Sequence, residues 1–254
     1  MIVRITGGMA NQALMYMFGR SLSILRNEPV LYDWRRSTWD FALEPYGIEK
    51  TQALPSNLKH MYEEPGFAFD PKALEQPSDT YFQGYWQSWR YLVEPETLRQ
   101  EWTLKEPLSG LVTGIANQLR NESSCFIHVR RGDYIANPIT EAFHGTLGMD
   151  YYNQAIEHIK ERVQNPQFYI FSDDPNYCEQ NFSYPVLSKK TLDQHQDLFL
   201  MRNCRHGIGA NSTFSWLANW LGDRSDRISI APKKWFTNPD IDTSDLIPSH
   251  WTRL

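Results

Sequence analysis

The chain has few cysteines, and their spacing argues against the sites that cysteines usually build. Among its 254 residues only Cys125, Cys178 and Cys204 occur, and no two of them form a CxxC pair. Disulfide scaffolds need paired cysteines, and structural zinc sites need closely spaced ligands. We therefore expect a protein of a reducing compartment, without a disulfide scaffold and without a structural zinc site.

Long apolar runs are also missing. The sequence contains no stretch of about 18 apolar residues, the length that a membrane-spanning helix needs. Residues 1–6 alternate like a β-strand and do not resemble a signal peptide. We expect a cytoplasmic protein without a membrane span, one that can act peripherally at the inner face of the membrane.

Positive charge is scarce, because 25 Lys and Arg residues stand against 30 Asp and Glu residues, for a formal net charge of −5. Such a chain is not drawn to nucleic acid as a whole, so an anionic ligand must be held by local basic groups. Aromatic residues make up 14% of the chain and include nine tryptophans. They suit a packed core as well as stacking against sugar rings, and composition leaves both interpretations open.

Strand signals alternate with helix signals, which predicts a mostly parallel α/β fold. A strand, a glycine turn, a helix and a second strand open the chain, and a more regular series follows from Leu111. Prolines interrupt the stretch between the two series, and Glu106-Pro107 is the candidate boundary. The prediction is two Rossmann-like domains, 1–106 and 107–254, that face a central cleft.

In open α/β sheets, ligands bind beyond the carboxyl ends of the strands. After the first strand come Gly7 and Gly8, and then Asn11 and Gln12 at the start of a helix. Free backbone amides at a helix start favour phosphate, although a tight turn alone would also explain the glycines. Neither GxGxxG nor GxxxxGK[ST] occurs, so NAD-binding and P-loop interpretations lose support.

Residues 128–134, HVRRGDY, are the strongest local signal, because an apolar strand ends there in two arginines. Arginine binds a diphosphate through two parallel hydrogen bonds and stays charged. Asp133 can orient either arginine. A surface cluster of ion pairs is the alternative, but a buried strand would deliver these charges directly to the ligand-binding edge of the sheet.

Two more polar groups follow later strands. Residues 211–216, NSTFSW, bring more amide and hydroxyl groups to a helix start than an N-cap requires, so we interpret them as phosphate or sugar contacts. Asp173 and Asp174 follow another strand, where a carboxylate often holds a ribose. A helix cap with a surface acid explains this second pair equally well.

Four sequence blocks, taken in order, resemble glycosyltransferase family 11, the α-1,2-fucosyltransferases. They are GGMANQ from Gly7, YFQGYWQS from Tyr81, HVRRGDY from His128, and NSTFSW followed by ANWL from Asn211. Ala10 stands where the family usually has Gly, and Leu217 stands where a second Trp is common. Residues 33–80 carry no recognised block, so the resemblance says least about the acceptor.

The resemblance implies a GT-B fold, GDP-β-L-fucose as donor substrate, neither a cofactor nor an essential metal, and inversion at the anomeric carbon. The acceptor would be the 2-hydroxyl of a terminal galactose on an oligosaccharide or a lipid-linked glycan. We assign Arg130 to the β-phosphate, where negative charge grows as GDP departs, and we consider Asp133, Glu141 and His144 as the base. The candidate donor contacts are Gly8, Asn11, Gln12, His128, Arg130, Asp173, Asn211, Ser212, Thr213, Phe214 and Ser215, and the candidate acceptor contacts are Tyr85 and Trp86.

Two other functions stay open. A transferase of another nucleotide sugar, linked to GDP or UDP, would use the same groups. A carbohydrate-binding protein without catalysis would use the aromatic turn Tyr85-Trp86 as its surface. The second reading leaves the arginine pair and the hydroxyl cluster unexplained.

Overall fold

The computed structural model describes residues 1–35, 37–50, 58–188 and 191–254. This part of the chain folds into two compact units, and each unit contains a parallel β-sheet. The predicted α/β class is confirmed, and two Rossmann-like units are what a GT-B fold consists of. The cleft that the sequence predicts between them stays a prediction.

The sheet of the first unit has four parallel strands in the order β2-β1-β4-β3. They are β1 (Ile2–Arg4), β2 (Leu31–Asp33), β3 (His60–Glu63) and β4 (Thr80–Gln83). Helix α1 (Met9–Arg26) connects β1 to β2 and buries its apolar face, as its helical spacing of Leu14, Phe18 and Leu22 predicts. The chain goes from β1 to β2 on one side, while β4 lies on the other, so β1 and β4 flank the topological switch point.

The rest of the first unit is built from short elements, as the prolines of this region predict. They are the single helical turns at Glu44–Tyr46 and Trp89–Tyr91, α2 (Lys72–Glu75) and α3 (Pro95–Glu101). Strand β3 has no sequence signal, because its four residues are mostly exposed and carry no apolar alternation. A strand at the edge of a sheet needs little apolar surface, which explains why it was missed.

The chain divides into Met1–Pro107 with Ile241–Pro248 and Leu108–Asp240 with Ser249–Leu254. The predicted second domain, 107–254, therefore includes a segment that packs with the first unit instead. The carboxylate of Asp245 accepts a hydrogen bond from the Phe69 N–H at 3.1 Å, and its carbonyl accepts one from the Ser88 hydroxyl at 3.0 Å. These bonds attach the late segment to the early part of the chain, and a linear sequence pattern does not reveal them.

The sheet of the second unit has five parallel strands in the order β6-β5-β7-β8-β9. They are β5 (Ser124–Val129), β6 (Gln167–Ser172), β7 (His206–Ile208), β8 (Ser229–Ala231) and β9 (Thr252–Arg253). All of β5 is buried, which agrees with its apolar run and with a strand covered on both faces. Strand β9 is only two residues long, which is too short for a periodic signal in the sequence. In this sheet β5 and β7 flank the switch point.

Helices of the second unit cover this sheet, and Tyr152 and Ile156 pack with Ile127 and Ile170 in its core. The helices are α4 (Gly110–Asn121), α5 (Gly132–Ala136), α6 (Pro138–His144), α7 (Met149–Lys160), α8 (Pro175–Asn181), α9 (Gln194–Asn203) and α10 (Thr213–Leu221). Gly148 is the N-cap of α7, and Asp150 lies in its first turn, where a carboxylate favours the helix start. Within the described ranges, no helix is both long enough and apolar enough to cross a membrane.

Candidate functional site

The carboxyl edge of the second sheet brings together the polar residues that follow three strands. Arg130 follows β5, Asp173 follows β6, and the segment 209–215 follows β7. Because β5 has β6 on one side and β7 on the other, the three loops lie side by side. This is the switch point of the sheet, where open α/β folds bind their ligands.

Arg130 is held in place by two carboxylates. Its Nη2 donates to Asp133 Oδ1 at 2.6 Å, and its Nη1 lies 2.9 Å from Asp173 Oδ2. The side chain is about 30% exposed at the sheet edge. A guanidinium carries five N–H donors, so these two contacts fix its plane and leave donors for an anionic ligand.

Arg131 has different surroundings from its neighbour. Its Nε pairs with Asp174 Oδ2 at 3.2 Å, and its guanidinium lies 3.5 Å from the centre of the Tyr177 ring. Both arginines thus pair with carboxylates, but with different ones. Tyr177 was not anticipated, because an aromatic residue in a short helix gives no sign of a cation above its ring.

Asp173 accepts hydrogen bonds from both arginine residues. In addition to Arg130, it accepts the backbone N–H of Arg131 at 2.9 Å through Oδ1. A Cβ on Gly132 would lie only 2.7 Å from Asp173 Oδ2, so the close approach requires glycine there. Both oxygens of Asp173 are thus engaged with the protein, so Asp173 holds Arg130 in place, and its direct contact with the donor stays a prediction.

The charged groups at this edge are two guanidiniums and three carboxylates, so their net charge does not favour an anion. A diphosphate would therefore need further hydrogen-bond donors. The N-terminus of α10 lies at the same edge, with Thr213 and Phe214 partly exposed in its first turn. Ser212 is its N-cap and accepts the Phe214 N–H at 3.3 Å. Ser215 is fully buried and donates to the Ala210 carbonyl at 3.2 Å, so it braces the loop instead of facing a ligand.

Asn211 and Tyr134 connect the loop after β7 to the helices after β5. The Asn211 amide nitrogen donates to the carbonyls of His144, Gly145 and Trp235 at 2.9 to 3.2 Å. The Tyr134 hydroxyl donates to the Asn211 carbonyl at 3.0 Å. Asn211 is 2% exposed, so the structure gives it a bracing position in place of the predicted ligand contact.

The three candidate bases lie in different environments. Asp133 is paired with Arg130, and Glu141 is exposed on α6. His144 stacks on the Tyr134 ring with centroids 4.6 Å apart and planes 11° apart. Burial lowers the pKa of His144, so its imidazole is neutral near pH 7. Within the described residues, no three His, Cys, Asp or Glu side chains group as they would around a metal ion.

His128 lies on β5 directly below this edge and is 4% exposed. Burial lowers its pKa to about 3, which keeps the imidazole neutral. Its ring lies 5.5 Å from that of Phe214, and no described residue offers a hydrogen-bond partner to its Nδ1. The side chain therefore joins β5 to the start of α10, and its Nδ1 has no hydrogen-bond partner among the described residues.

In the first unit, the turn after β1 has the predicted form. Gly7 has a φ of +79°, and Gly8 is the N-cap of α1 with open space where a Cβ would be. Asn11 is partly exposed in the first turn. Gln12 is buried, and its Nε2 donates to the carbonyls of Gly7 and Asp40, each at 2.8 Å. Asn11 Oδ1 accepts a hydrogen bond from Gln87 Nε2 at 3.1 Å, so Gly8 and the Asn11 amide nitrogen stay available to a ligand, whereas Gln12 is occupied in closing a loop.

The two aromatic residues predicted to contact an acceptor lie in opposite environments. Tyr85 is 44% exposed, which fits that prediction. Trp86 has a φ of +54° and is fully buried, with its ring stacked 3.9 Å from that of Phe18. The left-handed backbone turns the indole into the core, so Trp86 is a packing residue and not a surface for sugar.

Comparison with known proteins shows which family and which relatives the chain is similar to. Residues 49–254 match the model of Glycosyl transferase family 11. The whole chain aligns with 98% of an α-1,2-colitosyltransferase of Escherichia coli at 29% identity. A stretch covering 57% of the chain is 28% identical to 42% of galactoside α-(1,2)-fucosyltransferase 1 of Homo sapiens.

Among solved structures, fucosyltransferase NodZ from Bradyrhizobium is similar at a TM-score of 0.48 and 13% identity. That similarity covers 87% of this chain and 93% of the other. The family model, in contrast, spans most of the sequence and includes the arginine motif and the segment after β7. On that match, the chain belongs to glycosyltransferase family 11.

Proposed function

We propose that the protein transfers L-fucose from GDP-β-L-fucose to the 2-hydroxyl of a terminal galactose, with inversion and without a metal ion. The observation that carries this proposal is Arg130, fixed by two carboxylates at the switch point beside the N-terminus of α10. Membership in family 11 supports the reaction class, and relatives named for α-1,2 transfer support the linkage. The acceptor is an oligosaccharide or a lipid-linked glycan, which the protein would meet in the cytoplasm at the inner membrane face.

In this proposal the bond between the anomeric carbon and the β-phosphate oxygen breaks, and its electron pair stays on the phosphate. The acceptor oxygen bonds to the anomeric carbon from the opposite face and gives up its proton. Arg130 stabilises the charge that grows on the phosphate, and because Asp133 and Asp173 already hold it, little reorganisation is needed. The amides at the start of α10 add donors without adding charge.

Asp133 is a positioning residue in this mechanism, because its carboxylate is paired with Arg130. Glu141 and His144 are the candidates for the base. Replacing the true base by glutamine should lower turnover and leave GDP affinity unchanged. If Glu141→Gln and His144→Gln both turn over as fast as the wild type, proton removal is left to solvent and departure of GDP sets the rate.

Colitose is a second candidate for the transferred sugar, because the relative that aligns with the whole chain is named for it. Colitose is fucose without its 3-hydroxyl, so both donors would present the same leaving group to Arg130. A competition assay with both GDP-linked sugars gives the ratio of their kcat/KM values. A ratio above one for fucose supports the main proposal, and a ratio that favours colitose replaces it with the second.

A thermal-shift panel tests the nucleotide. GDP should raise the melting temperature, and UDP or ADP at the same concentration should not. Stabilisation by UDP alone would point to a different nucleotide sugar. Binding of galactosides without any nucleotide effect would favour a carbohydrate-binding protein that lacks catalysis.

A further inference from the structure

A short segment, residues 185–188, runs beside β6 on the side away from β5. The Ile170 N–H donates to the Pro185 carbonyl at 2.9 Å, as in a parallel sheet. At Ser172, the last residue of β6, a side chain takes the place of the backbone carbonyl. The Ser172 N–H donates to the hydroxyl oxygen of Ser188 at 3.0 Å, and both serines are buried.

Asp197, in the first turn of α9, fixes the direction of the Ser188 hydroxyl. This hydroxyl donates to Asp197 Oδ2 at 2.6 Å, the length of a charge-assisted hydrogen bond. Burial raises the pKa of Asp197 to about 6, so the carboxylate is still charged at neutral pH. Because the hydroxyl proton points to this charge, the oxygen presents a lone pair to the Ser172 N–H, and the two hydrogen bonds strengthen each other.

Ser172 directly precedes the two carboxylates that hold the arginines. Its hydroxyl accepts the Asp174 N–H at 2.9 Å, and Asp173 pairs with Arg130 at 2.9 Å. A shift of the Ser172 backbone would therefore move both carboxylates, and the Arg130 guanidinium with them.

We propose that Asp197 and Ser188 are positioning residues of the donor site, which hold Asp173, and thereby Arg130, in place through the backbone of Ser172. The inference rests on the proposed function and adds two residues to it. Desolvation of a carboxylate costs stability, and an apolar residue would attach an edge segment without that cost. A charged group that orients one hydroxyl at the end of β6 is accounted for by the precision that the arginine needs.

Steady-state kinetics with GDP-fucose and lactose, and calorimetric titration with GDP, test the inference in the full chain. Ser188→Ala leaves the Ser172 N–H without its acceptor. We expect kcat to fall about tenfold through the displaced guanidinium, the dissociation constant for GDP to rise, and the KM for lactose to stay unchanged. Asp197→Ala should resemble Ser188→Ala. Asp197→Asn keeps an oxygen for the serine proton and should retain most of the activity.

A double-mutant cycle with Arg130→Ala tests the route of the effect. If Ser188 acts through Arg130, Ser188→Ala should change neither kcat nor GDP affinity once residue 130 is alanine. The matched control is Ser124→Ala, at the other end of the sheet. There a buried hydroxyl donates to the Leu119 carbonyl at 2.5 Å and accepts the Arg205 N–H at 3.0 Å. This control should lower the melting temperature but leave kcat and GDP affinity at wild-type values.

Wild-type kcat and GDP affinity in Ser188→Ala overturn the inference, and so does an equal decrease in the Arg130→Ala background. If Ser188→Ala does not fold, as melting would show, the same cycle with Asp197→Ala decides, because that side chain is only partly buried. If the wild type binds GDP but transfers no fucose, and the cycle on GDP affinity gives the expected result, the proposed function fails and the inference stands. A wild type that does not bind GDP overturns both.

Discussion

Replacing Arg130 by alanine removes the guanidinium that the proposed mechanism places on the departing phosphate. In the structure this group pairs with Asp133 and Asp173 at 2.6 and 2.9 Å. The substitution therefore deletes two ion pairs and, in the proposed mechanism, one preorganised donor. The two consequences differ in size, so measuring both tests whether Arg130 serves activity or stability.

The stability effect should be small. Arg130 is 30% exposed and its partners are 44% and 26% exposed, and ion pairs in such positions contribute about 0–1 kcal/mol each. A loss of about 1 kcal/mol lowers the melting temperature by a few degrees, roughly 2–4 °C, in a protein of this size. The loss of one preorganised donor typically costs about 100-fold in turnover, close to 2.7 kcal/mol of transition-state stabilisation.

Initial rates with GDP-fucose and lactose, calorimetric titration with GDP, and melting curves measure the three quantities. Arg130→Lys keeps the charge, but a single ammonium cannot hold both carboxylates and a phosphate in one plane, so most of the activity should still be lost. Arg162→Ala removes a surface ion pair with Glu161 at the far end of α7 and should leave turnover unchanged. Turnover of Arg130→Ala within about threefold of wild type, with GDP affinity intact, would refute the assignment.

Three further substitutions have distinct expected results. Gly132→Ala should place a Cβ against the Asp173 carboxylate and so displace Arg130. We expect kcat to fall on the order of tenfold while the melting temperature stays near that of the wild type. Unchanged kinetics would contradict this. Gln12→Ala leaves buried backbone groups unpaired, so it should lower the free energy of unfolding by about 1–3 kcal/mol, as urea unfolding would show. Titration with GDP should give an unchanged affinity. The pKa of His128 is about 3 in the folded protein and ordinarily 6.5, so between these values only the unfolded chain takes up a proton at this residue. The contribution of the neutral His128 to stability is therefore lost as the pH falls below 6.5. Between pH 6 and pH 4, the free energy of unfolding should fall by about 1.4 kcal/mol less per pH unit in His128→Gln than in the wild type, as urea unfolding would show. The same slope in both proteins would exclude this role.

The position of Arg130 could be predicted from sequence because local rules determine it. An apolar run in a parallel α/β chain becomes a strand buried on both faces, and the charged residues that follow must emerge at its carboxyl edge. β5 follows this rule, with every residue buried up to Val129. The glycine turn before α1 is equally local, because the positive φ of Gly7 suits only a residue without a Cβ.

Other features depend on contacts that the sequence does not display. The bond between Asp173 and the Arg131 N–H joins residues 42 positions apart, so the carboxylate could not be told from a ribose-binding one. Trp86 and Tyr85 are adjacent aromatics, yet a single left-handed residue sends one into the core and leaves the other exposed.

Linkage analysis of the product formed from GDP-fucose and lactose, with EDTA present throughout, tests the central claim most directly. We expect wild-type protein to form a trisaccharide with fucose joined α-1,2 to galactose, at a rate that EDTA does not change. A product with another linkage would contradict the assigned reaction. A rate abolished by EDTA and restored by manganese would show that a metal ion, and not the Arg130 guanidinium alone, neutralises the departing GDP.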